Sequence, residues 1–218
     1  VNIGDNVQVI PDNAFNGCTG LATVYIGTSV TTISSSAFTG CSALSTLNFN
    51  ATDCASMDSS FKDCTKLATV NFGDNVQNIL MYAFRNFTTL TSVTIGTSVA
   101  SIPDRAFYGC TGLTTVNFNA TNCSSMGTSS YPVFSGCTNL STVNIGDNVQ
   151  VIPNYAFNGC TGLKSVTIGN SVTSIGYNAF CNCTRLNGVY ISDISSWCNI
   201  DFANEYANPL TYEHNLYF

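Results

Sequence analysis

A phenylalanine recurs every 23 residues along this 218-residue chain. It stands at Phe15, Phe38, Phe61, Phe84, Phe107, Phe134, Phe157 and Phe180, and only the step into Phe134 departs, being four residues longer. Three residues after each Phe comes a cysteine (Cys18, Cys41, Cys64, Cys110, Cys137, Cys160, Cys183), with Phe87 as the single replacement. Six residues after each comes a leucine, from Leu21 to Leu186. Self-similarity at a fixed period of this length predicts a solenoid of about eight turns, in which stacking buries faces that one repeat cannot bury alone.

Within a turn, L-x-x-V-x-I alternates apolar and polar residues in its last three positions, the pattern of a half-buried strand. A glycine ends most of these segments, as at Gly27, Gly73, Gly96, Gly146 and Gly169. A Val-x-x-Ile pair follows and predicts a second short extended segment. The A-F-x-G-C-T piece is too short for an independent helix. It reads as one helical or 3₁₀ turn with a tight corner at Gly.

A longer period overlies the first. VNIGDNVQVIP opens the chain and returns from Val143, with a looser copy at Val70. Turns cycle through three kinds, marked IGDN, IGTS and FNAT. The FNAT turns replace Val-x-x-Ile by Cys54/Met57 and Cys123/Met126, one residue later in the frame. This reads as a duplicated three-turn block. Asp5, Asp74 and Asp147 of the GDN segments read as turn residues with local backbone hydrogen bonds.

With 44% apolar residues the chain can bury a continuous core, and the repeat runs without a linker, so residues 1–191 read as one solenoid domain. Residues 192–218 leave the frame, and Trp197, Ile200, Phe202 and Leu210 are expected to close the last turn as a capping segment of the same domain. Only 8% of residues are charged and the net charge is −6. That argues against nucleic acid and anionic membranes as partners, since both need a basic patch. No apolar run is long enough to span a bilayer. The chain begins without Met and in mid-frame, so it reads as a piece of a longer protein, monomeric as an isolated fragment.

The repeated cysteine position accepts Phe87, which marks it as a buried apolar position of reduced thiols. Pairing between neighbouring turns stays open, because stacked strands would bring the Cα atoms within disulfide reach. No metal, cofactor or catalytic constellation is expected. The one histidine, His214, has no nucleophile beside it, and Glu205 and Glu213 carry no pocket signal.

L-x-x-V-x-I, then V-x-x-I, then A-F-x-G-C-T-x-L resembles the BspA-like leucine-rich repeat, also called the Treponema pallidum type. The likeness spans residues 1–191, and the stretch TSVTIGTSVASIPDRAFYGCTGL at 91–113 is similar to a typical family turn. The C-terminal VYISDISSWCNIDFANEYANPL is similar to the terminal segments of gut-bacterial members. The resemblance implies a β-rich α/β solenoid: a right-handed leucine-rich-repeat coil with a parallel sheet on one face and short corners. It also implies export to the surface of a host-associated microbe, where some members are adhesins. It assigns no binding residues.

The outward strand positions form two polar columns, and these are the candidate ligand-contact surface: Thr23, Tyr25, Asn48, Asn71, Thr94, Asn117, Asn144, Thr167 and Tyr190. Tyr131 joins them as part of the four-residue insertion before Phe134, which is expected to project as a loop. Three functions fit: an adhesion module for host or microbial proteins or glycans, a structural spacer displaying another domain, and a carbohydrate-recognition module.

Overall fold

The computed structural model of the protein describes residues 1–57, 59–212 and 214–218. The L-x-x-V-x-I segments form the strands of one continuous ten-stranded parallel sheet, each strand pairing with that of the next turn. It runs from Asn2–Ile3 through Thr23–Ile26, Thr46–Phe49, Thr69–Phe72, Ser92–Ile95, Thr115–Phe118, Thr142–Ile145, Ser165–Thr167 and Gly188–Tyr190 to Asn215–Tyr217. In Thr23–Ile26 the inward Val24 and Ile26 are fully buried while Tyr25 faces out, the alternation the pattern predicts. The opposite wall of the core is a stack of the repeated phenylalanines. Phe15, Phe38 and Phe61 lie face to face at 5.0 Å, tilted by 4° and 3°.

The corners carry the expected i→i+3 bonds, such as Asn16 N–H to Asn13 O and Cys18 N–H to Phe15 O. They do not wind into helix, because each contains left-handed residues. Two residues before Phe the backbone is left-handed at Asn13, Ser36, Ser59, Tyr82, Arg105, Tyr155 and Asn178, with φ between 54° and 62°. Two residues after it, the same conformation falls to Gly17, Gly40, Asp63, Asn86, Gly109, Gly136, Gly159 and Asn182. Proline cannot adopt it. The turn whose pre-Phe position is Pro132 instead carries the four-residue insertion, with a left-handed Gly127.

The three-turn cycle has a physical basis beyond duplication. Asp5 does not bond locally; its carboxylate accepts from the backbone N–H and the hydroxyl of Thr28, one turn on. These bonds hold its carboxyl below the usual range. Asp74 accepts from Thr97 N–H in the same way. The GDN and GTS turns therefore fit one another. The FNAT asparagine fits the turn after it: a Cβ on Gly73 would lie 2.1 Å from Asn50 Oδ1, and one on Gly146 2.5 Å from Asn119 Oδ1. A Cβ at either position would displace the asparagine side chain.

The Val-x-x-Ile segments form the second, narrower ladder on the far edge, and it is not continuous. Val9–Ile10 pairs with Thr32–Ile33, which bridges to Ser56. Asn78 bridges to Ser101, and Ser101–Ile102 pairs with Ser125–Met126. Val151–Ile152, Ser174–Ile175 and Asp201–Phe202 make the third group. Each break follows a Cys-x-x-Met turn. Its displaced back segment pairs with the turn before it and not with the turn after it.

Residues 192–218 continue the coil and add Trp197, Ile200 and Ala207 to its buried cluster. Asp193 caps the short helix Ile194–Cys198, accepting from Ser196 N–H at 2.7 Å. Trp197 and Ile200 are buried, and Trp197 meets Phe202 edge-on at 5.4 Å. Asn215–Tyr217 is the tenth strand of the main sheet, and Tyr206 O accepts from Phe180 N–H as Ala179 O does from Phe157 N–H. The segment is a ninth, lengthened turn.

Candidate functional site

The parallel register aligns the outward residues into one column from strand to strand: Tyr25, Asn48, Asn71, Thr94, Asn117, Asn144, Thr167, Tyr190 and Tyr217. Beside it runs a column of hydroxyls that begins at Thr23. The middle of the first column is tied in two groups, Asn48–Asn71 and Thr94–Asn117–Asn144. Asn71 donates to Asn48 Oδ1 at 2.9 Å, Asn117 to Thr94 Oγ1 at 3.4 Å, and Asn144 to Asn117 Oδ1 at 2.8 Å. These residues are half-buried between their neighbours rather than free in solvent. Asn48 keeps its Nδ2, and Asn71 and Asn144 keep their Oδ1, unspent by these bonds, while Asn117 uses both ends. The exposed aromatics stand toward the ends, Tyr25 near the first turn and Tyr190 stacked on Tyr217 at 5.0 Å. Tyr217 was not foreseen; its signal was the strand-like NLYF at the C-terminus.

Tyr131 does not join these columns. Its insertion folds on itself through Thr128, and its exposed ring lies 4.1 Å from the Arg105 guanidinium at a corner.

The sequence missed a second feature. Between the corners of the third and fourth turns the far edge is open. The stack that joins Phe38 to Phe61 resumes only from Phe84 to Phe107, at 5.8 Å. The bond from Phe38 N–H to Ser60 O has no counterpart from Phe61 to Ala83, although Phe84 N–H again reaches Ala106 O. Phe87 stands at this break. In place of a small thiol it puts a ring edge-on to Phe84 at 5.6 Å, and that ring is only half-buried. The split leaves adjoining hollows of about 400 and 360 Å³. Lys62, Tyr82 and Arg85 line the second, with Phe61 and Phe87 as its apolar floor. The signal for it was the one Phe in the cysteine column.

All eleven cysteines are free. Cys41, Cys64, Cys110, Cys137 and Cys183 donate their thiols to the phenylalanine carbonyl one turn back, at 2.9–3.3 Å. Burial pushes Cys64 and Cys160 up to about 12 and Cys123 to about 11. A thiolate nucleophile is disfavoured there. His214 Nδ1 is engaged by Pro209 O and Glu205 begins a 3₁₀ turn, while Glu213 lies outside the described residues. Among the described residues no cluster of His, Cys, Asp and Glu is placed to hold a metal ion, and no helix is long and apolar enough to cross a membrane.

The family model for the BspA type leucine-rich repeat region matches six copies, over residues 1–114 and 77–208. No curated protein matches the chain. Among solved structures, a leucine-rich repeat protein from Bacteroides ovatus is 22% identical over 94% of this chain, with a TM-score of 0.43; the chain spans 66% of that protein. The T. pallidum leucine-rich repeat protein is 21% identical, covering 93% of this chain and 79% of its own, with a TM-score of 0.44. A leucine-rich cell surface protein from Faecalibacterium prausnitzii is 22% identical over 92% and 81%, with a TM-score of 0.36.

Proposed function

This chain belongs to the BspA-type leucine-rich-repeat family, and from that premise we propose that it is a non-catalytic binding module displayed at a cell surface, recognising a host or microbial protein or glycan through the outward face of its long sheet. The observation that carries the reading is the outward column from Asn48 to Asn144, linked as Asn48–Asn71 and as Thr94–Asn117–Asn144 and flanked by exposed tyrosines. Fixed amide and hydroxyl edges at strand spacing offer a repeated set of weak polar contacts, each worth roughly 0.5–1.5 kcal/mol net. Affinity then comes from many contacts or from multivalent display. The spacer reading is favoured by the unbroken ten-strand sheet, which suits a stiff rod.

The test is the soluble domain clustered on beads against matrix proteins and glycans. Binding that disappears when Thr94, Asn117 and Asn144 are together changed to Lys supports the sheet face. Absence of binding even when clustered turns the assignment to a spacer.

A further inference from the structure

We propose that the open far edge between the third and fourth turns is a second binding site, for an acidic glycan held by its carboxylates. Four of the six Lys and Arg residues of this acidic chain, Lys62, Lys66, Arg85 and Arg105, fall between Lys62 and Arg105. Arg85 stands 5.6 Å from the ring centroids of both Tyr82 and Tyr108, and Arg105 stands 5.5 Å from Tyr108 and 4.1 Å from Tyr131. The two guanidinium groups thus alternate with three tyrosines along adjoining corners. Neither has an ion-pair partner among the described residues. Stacking on a ring engages the face of a guanidinium and leaves its N–H edge free for the bidentate grip on a carboxylate.

Two further observations choose the ligand. Phe61 and Ala83 do not make the N–H to carbonyl bond that neighbouring turns make here. Both residues line the hollow of about 360 Å³, where hydroxyls could meet these peptide groups. Tyr82, 44% exposed, lines both hollows and presents a ring face on which a pyranose stacks through its C–H bonds. Hollows of about 360 and 400 Å³ hold one or two sugar rings. Asp63 lines the adjoining hollow of about 300 Å³. Lys62 and Arg85 line that hollow too, so the two cations border Asp63 as well as the space of about 360 Å³ beside it. The site lies beside Phe87, where the stack is interrupted, between basic corners. It is independent of the sheet face.

The probe is tetragalacturonate, with its methyl ester and pentaglutamate as controls, measured by calorimetry in low and physiological salt. The expected result is saturable, salt-sensitive binding of tetragalacturonate and at least tenfold weaker binding of the ester. The changes Arg85→Gln with Arg105→Gln, and separately Tyr82→Ala, should each weaken binding at least tenfold at unchanged melting temperature. The triple Lys change on the sheet should leave it intact. No binding of tetragalacturonate, equal binding of the ester, or indifference to the two Arg changes overturns the proposal. Pentaglutamate binding as tightly overturns the glycan assignment in favour of an acidic peptide. Should the double Arg variant fold poorly, Lys62→Gln, on the exposed edge, serves the same purpose.

Discussion

The thiol of Cys110 donates to the carbonyl oxygen of Phe84, one turn back, at 2.9 Å. Read from sequence, this position calls only for apolar fill, and a serine there would bury a hydroxyl with nothing to bond. The structure supplies the partner. Cys110→Ser is therefore expected to cost about 1 kcal/mol, since the hydroxyl keeps the bond and loses some apolar contact. Cys110→Ala loses both the bond and the volume, and should cost about 2 kcal/mol. Urea denaturation of the two variants gives the order. Alanine milder than serine would mean that the thiol bond contributes nothing.

The same column predicts alkaline sensitivity. Burial raises the Cys64 and Cys160 thiols from the ordinary value of 9.0 to about 12 and Cys123 to about 11. The folded state then holds protons that the unfolded chain releases, so the stabilisation is complete below pH 9 and is lost as pH rises toward those values. Each such thiol contributes a slope of about 1.4 kcal/mol per pH unit in that window. The urea midpoint should be insensitive to these thiols between pH 7 and 8.5 and fall from pH 9 to 10.5. Cys160→Ala should fall less steeply than the parent, and equal slopes would remove the thiols as the cause.

The coil, its strands and its phenylalanine wall were legible in the sequence because each depends on a residue repeated at one frame position. What was not legible depends on pairs of turns. Asp5 reads as a local turn residue until Thr28 is placed beside it, 23 residues away. The split far ladder was foreshadowed by the one-residue offset of Cys54 and Met57. An offset alone does not say which neighbour loses its pairing. Phe87 looked like a tolerated swap in a buried column, because a frame position fixes where a residue points and not how much room the next turn leaves it. The outward strand positions align as columns, as the alternation implies. The hydrogen bonds that half-bury Asn71 and Asn144 required the register.

Ser36 sits at φ 62°, where a Cβ strains the backbone by about 1–2 kcal/mol. Ser36→Gly removes that strain and gives back about 0.4–1 kcal/mol through a freer unfolded chain. A net gain of about 0.5 kcal/mol is expected. Ser36→Val adds a β-branch at the same φ and should cost about 2 kcal/mol. Chemical denaturation of the pair decides it; a valine variant as stable as the parent would show that the corner relaxes to another conformation.

Removal of residues 192–218 tests the ninth turn. Gly188–Tyr190 would lose its outer neighbour, including the bond from Ile191 N–H to Tyr217 O, and Ser174–Ile175 would lose Asp201–Phe202. Leu186, Val189 and Ile191 would lose the cover that Trp197, Ile200 and Ala207 help provide. An open parallel edge above an apolar end invites pairing with another copy. Light scattering should show the truncated chain as oligomers or precipitate under conditions that keep the parent monomeric. The single change Trp197→Ala separates the two contributions, since it opens the core but leaves both strands in place. It should lower the melting temperature without oligomerisation. If the truncated chain stays monomeric, the segment decorates the coil and the eighth turn closes itself; if Trp197→Ala alone oligomerises, the apolar end rather than the strand edge is what the segment protects.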